Sequence, residues 1–354
     1  MDILKQAPTA PPSKPSPLRP LTLGTPALVA QHVPCTMHLS VLPPELACSL
    51  FYKMIDESST WSKNKWWLFD RVVESPHLTS FYARKGEENR IEEAKYWYNG
   101  RQTEDPRPFL PEMDEACEII EKIVNAELKK RKRFPLEWGG HDGDDGLTWR
   151  ANVAASNCYR GSKEGVGPHT DQLTYLGPYP TIASLSLGTP RVFRLRETIP
   201  TSETDSRAAQ TFNVPLTHNS LAIMHASCQE RFKHSIPPQP SLDLFRPPFP
   251  RPSTNTTSTA RDDTTSNARI NITFRFYRPD FSARSIPKCK CGVPMVLRAD
   301  MKNRTDGETD KYWWTCYGGA QSDDGKGCGL WKVLDMRGEG RGPTVGERRR
   351  KETI

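Results

Sequence analysis

The chain has 354 residues, enough to bury a full core and to carry one large domain beside a small one. Its 49 Lys and Arg against 42 Asp and Glu give a net charge of +7 and a pI near 8.9, a mild bias toward acidic partners such as nucleic acid. No apolar run approaches the roughly 18 residues of a membrane span, and the N-terminus lacks the apolar core of a secretion signal, so no membrane partner and a reducing compartment are expected.

Residues 1–36 are rich in Pro and Ser and read as a disordered leader. The stretch "LPPELACSLFYKMIDES" then spaces Leu46, Leu50, Phe51, Met54 and Ile55 along one helical face, with Pro43 and Pro44 suited to the first turn. "WSKNKWWLFDRVVESPHLTSFYAR" reads as strands joined at Ser75-Pro76. A second helix, "PEMDEACEIIEKIVNAELKKRKR", puts Met113, Ala116, Ile120, Ile123, Val124 and Leu128 on one stripe and ends in a basic run, Lys129 to Arg133, taken as a solvated helix end. Short β-type runs follow: "WRANVAASNCYR", "TIASLSLG", "RVFRLR", "SLAIMHA" and "RINITFRFYR". Strands at this spacing predict a mainly β fold, a sandwich or jelly roll, with the early helices packed on one sheet. The Pro/Ser/Thr-rich stretch 237–268 interrupts it as a disordered insertion.

The chemistry centres on "NCYRGSKEGVGPHTDQLTYLG", residues 157–177. Non-haem Fe(II) is held by two His and one carboxylate on one face, leaving positions open. In an extended segment residues i and i+2 point to one side, so His169 and Asp171 can bind one metal together. The third ligand would come from His218, His225 or His234; His234 is favoured because "KHSIPP" closes a β-type run. In "RINITFRFYR", period 2 puts Ile270, Ile272, Phe274 and Phe276 toward the core and Arg269, Asn271, Thr273 and Arg275 on the other face. Two arginines inside a jelly roll need anions to pair, and a dicarboxylate beside the iron would supply them.

These segments, in this order, resemble the AlkB-like Fe(II)/2-oxoglutarate dioxygenases, over residues 37–282 and most closely from Asn157 onward. The resemblance implies a double-stranded β-helix core and oxidative removal of alkyl groups, mostly from nucleic-acid bases, with DNA repair as the expected setting. By position it implies that His169, Asp171 and His234 bind iron and serve catalysis. Asn157 and Tyr159 would hydrogen-bond 2-oxoglutarate, Arg269 with Asn271 would pair with its distal carboxylate, and Arg275 would lie near the metal-chelating one. Many repair members carry an acid four residues after the first metal His, whereas Leu173 stands there in this chain. Trp66, Trp67, Phe69 and Tyr96 are candidates for stacking on a flipped or single-stranded base. Action on protein, and a silent nucleic-acid-binding scaffold, are the competing readings.

Cys289, Cys291, Cys316 and Cys328 crowd into about forty residues. In a reducing compartment such clustering favours four thiolates on a structural Zn2+ over disulfides. Residues 285–336 resemble a GRF-type zinc finger, through "CGLWKVLD" above all, although "DKYWWTC" replaces the stretch that names the module. That resemblance implies single-strand binding, preferably DNA with RNA also allowed, with Lys311, Trp313 and Trp314 as a stacking platform. Residues 337–354 read as a basic disordered tail, and a nuclear location is expected, with a cytoplasmic one also allowed.

Overall fold

The computed structural model describes residues 15–68, 71–86, 97–98, 101–102, 104–140, 148–251, 265–304, 311–320, 322 and 325–347. The larger of its two main sheets runs in the order β2 (Cys35–Leu39), β13 (Ser220–Met224), β10 (Ile182–Gly188), β15 (Ala268–Arg275), β8 (Val153–Arg160), β4 (Arg71–Ala83), β3 (Ser62–Leu68). The smaller runs β1 (Leu21–Thr22), β12 (Thr211–Leu216), β11 (Arg191–Glu197), β14 (Phe232–Ile236), β9 (Val166–His169). Short strands β5 (Trp97–Tyr98) and β6 (Arg101–Gln102) pair with each other, and β7 (Arg107–Pro108) lies parallel to β4. From β8 to β15 the strands alternate between the two sheets except at the β11–β12 pair, which stays in the smaller one, and residues of both sheets line one cavity. This is the jelly roll expected from the strand pattern.

The larger sheet is buried on both faces, which explains why β10 and β15 carry almost no exposed residue. Its outer face is apolar: Ile270, Ile272 and Phe274 join Ala183, Leu185 and Leu187 against helices α2 (Pro44–Glu57) and α3 (Pro111–Lys130). Pro44 and Pro111 open these helices, where a missing N–H costs nothing. The helices bring Leu50, Phe51, Met54, Met113, Ile120 and Val124, each 0–2% exposed. Each such side chain contributes about 1.5–3 kcal/mol. Gly188 is obligatory at the end of β10: its φ is +88°, and a Cβ there would lie 2.4 Å from the Ala268 carbonyl and 2.5 Å from the Phe51 ring.

Several boundaries differ from those read in the sequence. The leader is not disordered from residue 15 onward. Helix α1 (Pro26–His32) is capped by the Thr25 hydroxyl, and β1 adds parallel to β12, with Leu23 and Val29 buried. Ser75-Pro76 does not join two strands but lies within β4, where the register with β3 shifts and the Ser75 hydroxyl accepts from the Asn64 N–H. The basic run after α3 is not simply solvated. Arg131 and Arg133 both pair with Glu137, which is 2% exposed, because a buried carboxylate needs such partners. Part of the expected insertion is packed: Phe245 bridges to Ser266 and stands edge-on to Phe51. Residues 252–264 lie outside the described residues.

At the C-terminal end, β16 (Val296–Ala299), β17 (Tyr312–Thr315) and β18 (Trp331–Val333) form a three-stranded sheet beside the four clustered cysteines. Its inner face does not stand apart: Leu297, Tyr312 and Trp314 share one core with Leu173, Leu176, Tyr179 and Phe281. Nor does order stop at residue 336. Arg341 is 5% exposed, stacks between Phe281 and Trp314, and reaches Asp280 and Ser285. Thr344 bridges to Trp138, and Val345 N–H donates to the Glu137 carbonyl. Among the described residues no helix is long and apolar enough to cross a membrane.

Candidate active site

Strands β8 and β15 are antiparallel neighbours, and their register places Tyr159 opposite Arg269 and Asn157 opposite Asn271. Directly opposed residues share a face, so the four polar side chains form one patch on the inner side of the larger sheet. The small residues of β10 leave room beside it: Ser186 and Asn271 accept from Arg269 Nη2 at 2.8 and 3.1 Å. Arg269 is only 1% exposed, yet its Nε and Nη1 are buried with no hydrogen-bond partner. Burial lowers its pKa to about 10, so it remains a cation at neutral pH. A buried guanidinium satisfied on one side only is a socket for an anion.

The candidate metal ligands come from the facing sheet and the segment just after it. His169 and His234 are paired residues of β9 and β14, with ring centroids 4.3 Å apart. His169 Nδ1 lies 2.8 Å from the Gly167 carbonyl, which fixes the ring and leaves Nε2 free. Asp171 Oδ1 lies 3.5 Å from His234 Nε2, while Oδ2 takes both Nε and Nη2 of Arg275 at 2.9 and 2.8 Å. One ligand atom from each of His169, Asp171 and His234 falls within 4.8 Å of the others. Burial alone would raise the Asp171 pKa, but Arg275 and the two imidazoles outweigh it and hold the carboxyl well below its usual range. Burial, reinforced by His234, lowers His169 to about 4. At neutral pH the set is therefore a carboxylate with a neutral imidazole at His169, the forms a divalent cation needs.

Two details differ from the spacing argument. Asp171 does not reach the site by strand alternation: β9 ends at His169, and Asp171 lies beyond it, its N–H donating to Gln229 Oε1 at 2.8 Å. The Asn157/Tyr159 pair lies on β8 of the larger sheet, whereas His169 ends β9 of the smaller one. The other histidines weighed as third ligand point elsewhere. His218 Nδ1 accepts from the Gly188 N–H and stacks on Phe245, and His225 meets the Thr36 hydroxyl.

The metal set lines one cavity of roughly 480 Å³ together with Asn157, Tyr159, Asn271 and Arg275, while Arg269 does not reach its wall but is bonded to Asn271, which does. Residues not singled out in the sequence complete it. His77 stacks on Tyr159 at 4.9 Å and bonds the Gly165 carbonyl, and Thr79 donates to Asn157. Arg191, 1% exposed, is not on the wall; like Arg269 it lies near the Tyr159 ring, and it donates to the carbonyls of Gly161, Glu164 and Pro237. No local spacing marks these residues; they become neighbours only when β4, β8 and β11 assemble. Leu173 is 3% exposed and packs in the core, not on the cavity wall.

The profile of the 2OG-Fe(II) oxygenase superfamily matches residues 35–275. This chain belongs to that superfamily. As an oxygenase of this group it is similar to alpha-ketoglutarate-dependent dioxygenase alkB homolog 3 of Mus musculus, 36% identical over 108 residues, and to the Homo sapiens protein of that name, 35% identical over 108 residues. Each match covers 28% of this chain and 38% of the relative's length. The human DNA oxidative demethylase ALKBH2 is 31% identical over 86 residues, 24% of this chain and 33% of that protein. Among solved structures, OsALKBH1 gives a TM-score of 0.41 at 13% identity, covering 69% of this chain and 99% of that one. The fold rests on the strand order above, not on that likeness. The superfamily implies Fe(II) and 2-oxoglutarate, and the residues present fit both: two imidazoles and a carboxylate for the metal, a half-satisfied buried guanidinium for the diacid.

The remaining sequence candidates fare differently. Trp314 does not offer a stacking surface. It is 0% exposed, with its indole N–H on Glu339, because it faces inward between the module and the jelly roll. Trp313 faces outward, edge-on to Trp331, which is 62% exposed. Lys311, just before β17, is exposed. Trp66 and Trp67 lie on β3, where only their backbone is described, and Phe69 and Tyr96 lie outside the described residues. Cys289, Cys291, Cys316 and Cys328 bring their sulfurs within 4.8 Å of one another, and the Cys291 and Cys316 sulfurs also accept N–H bonds from Cys328 and Gly318.

Proposed function

We propose that this chain is an Fe(II)- and 2-oxoglutarate-dependent dealkylase of nucleic-acid bases, working in DNA repair on single strands or flipped bases in the nucleus. The observation that carries it is the convergence of His169, Asp171 and His234 on one cavity with Asn157, Tyr159 and Asn271, the last of which accepts from the half-satisfied Arg269. Iron with its co-substrate and dioxygen supplies the oxidising power to hydroxylate an N-alkyl carbon, after which the aldehyde leaves. The protein's own part is binding and placement. Asn157, Tyr159, Arg269 and Asn271 hold the diacid, and Arg275 keeps Asp171 ionised and turned toward the imidazoles.

A cavity of this size, within the roughly 300–1,000 Å³ of ligand sites, suits one co-substrate plus one base, which must leave a duplex stack to enter. The likeness to a DNA oxidative demethylase and the basic charge favour nucleic acid as the partner, DNA before RNA. With Leu173 in the core, the neutral amides of Gln172 and Asn64 on the cavity wall are candidates to read a base edge.

The four-cysteine module would hold Zn2+ and meet the strand with its outer face. There, Trp313 and Trp331 flank a groove of roughly 620 Å³ walled by Tyr317, Gly325 and Gly329, and Arg298 lies opposite Trp313 in the adjacent strand. Flat rings beside a cation suit unstacked bases. With Fe(II), 2-oxoglutarate and ascorbate, the purified protein should release formaldehyde from N-methylated single-stranded oligonucleotides, and His169→Ala should abolish this. Absence of turnover on every methylated DNA and RNA tried would overturn the reading. Succinate formation dependent on added peptide would replace it with action on protein.

A further inference from the structure

We propose that the four-cysteine module is a working part of the iron site, positioning the carboxylate ligand Asp171 through Tyr312, Glu230 and Gln229. The inference rests on the reading of His169, Asp171 and His234 as that site.

Asp171 lies outside any strand, so no sheet ladder holds its backbone. Its N–H instead donates to Gln229 Oε1 at 2.8 Å, and Gln229 is 1% exposed. Gln229 lies on a single helical turn, α4 (Cys228–Arg231), whose next residue, Glu230, is equally buried. Glu230 Oε1 accepts from the Tyr179 N–H at 3.0 Å and from the Tyr312 hydroxyl at 3.1 Å. The segment from Asp171 to Tyr179 is thus pinned at its two ends by consecutive residues of one turn, and that turn is pinned by the module.

A second tie falls between them: Leu297 N–H, from β16, donates to the Thr174 hydroxyl at 3.2 Å. Leu173 and Leu176 pack in one core with Leu297, Tyr312 and Trp314. The same strand that begins with Tyr312 leads directly into Cys316, so the cluster of sulfurs fixes one end of β17 and the Glu230 contact the other. Without the module, a buried carboxylate would lose its hydroxyl partner, and the apolar side of the Asp171–Tyr179 segment would face water. Partners that hold a ligand residue in place are worth about 10- to 100-fold in metal affinity.

The test uses the whole 354-residue chain loaded with zinc, and Mn(II) alone as a redox-stable probe, with bound metal read by electron paramagnetic resonance and folding checked by circular dichroism. Gln229→Met should weaken Mn(II) binding about tenfold or more, and Tyr312→Phe should weaken it by less. The double variant should lose less than the product of the two, since both act through one turn. If Gln229→Met does not fold, Tyr312→Phe, which removes a single oxygen, decides alone. Wild-type Mn(II) affinity in folded variants, with only the melting temperature lowered, would make these residues merely structural and overturn the proposal. Failure of the wild-type chain itself to bind Mn(II) would instead remove the iron-site reading, and this inference with it.

Discussion

Arg269→Met should make the protein fold better and work worse. The guanidinium is 1% exposed, and two of its nitrogens have no partner. Burial lowers its pKa from 12.5 to about 10, with Tyr159 opposing and Arg191 adding to that effect. At 1.36 kcal/mol per unit of pKa, the charged form carries a penalty of about 3 kcal/mol. Because the folded value lies below the unfolded one, that penalty is full at neutral pH and fades only as the pH rises past about 10.

Methionine keeps much of the volume without the charge, so the ligand-free variant should be as stable as wild type or up to about 3 kcal/mol more stable. Binding should move the other way. Leaving a buried carboxylate of 2-oxoglutarate unpaired costs about 2–5 kcal/mol, which is roughly 30- to 4,000-fold in affinity. Titration calorimetry with 2-oxoglutarate and Mn(II), beside thermal unfolding with and without the diacid, reads both. Saturating diacid at 100 times its Kd should stabilise wild type by about 2.7 kcal/mol and the variant far less. A variant that binds 2-oxoglutarate like wild type, or that loses stability without it, refutes the reasoning.

Two further predictions follow from the same geometry. Burial lowers His77 to about 4, below its ordinary 6.5, so its stabilising contribution is complete above pH 6.5 and is lost as pH falls toward 4. Replacing it by Phe, which keeps the stack on Tyr159, should flatten the acid limb of stability by up to about 3 kcal/mol between pH 7 and pH 4; an unchanged limb assigns that loss to other groups. In the module, Trp313→Ala or Trp331→Ala should weaken single-strand binding by about 1–3 kcal/mol with little change in melting temperature, whereas Trp314→Ala should cost about 3–5 kcal/mol of stability. Fluorescence anisotropy beside thermal unfolding separates the two, and the opposite pattern would mean the outward rings are not the platform.

The His-x-Asp pair and the polar face of "RINITFR" were legible because they depend on short-range spacing, whereas His234 was one of three downstream histidines that spacing alone did not separate. His-x-Asp places two ligands within one short segment, and a strand's period of 2 sorts Arg269, Asn271, Thr273 and Arg275 from Ile270, Ile272 and Phe274. His77, Arg191 and Gln229 were missed because nothing near them in the chain marks them. Gln229 meets Asp171 across 58 residues and His77 meets Gly165 across 88. Trp313 and Trp314 show the same limit in reverse: adjacent and alike in sequence, they point to opposite faces of β17, and only the sheet's docking decides which is core.

The amino-acid sequence by itself determined the β-strand pattern, the His-x-Asp pair, the alternation that sets Arg269 and Arg275 apart from the apolar face and the four-cysteine cluster, since each follows from residue type and local periodicity. Tertiary structure alone decided that residues 285–347 share a core with the oxygenase, that Asp171 is held by a turn reaching that module, and that Trp331 rather than Trp314 faces outward. The reason is physical: local periodicity says which faces are apolar, but which two faces are brought together depends on contacts between residues far apart in the chain.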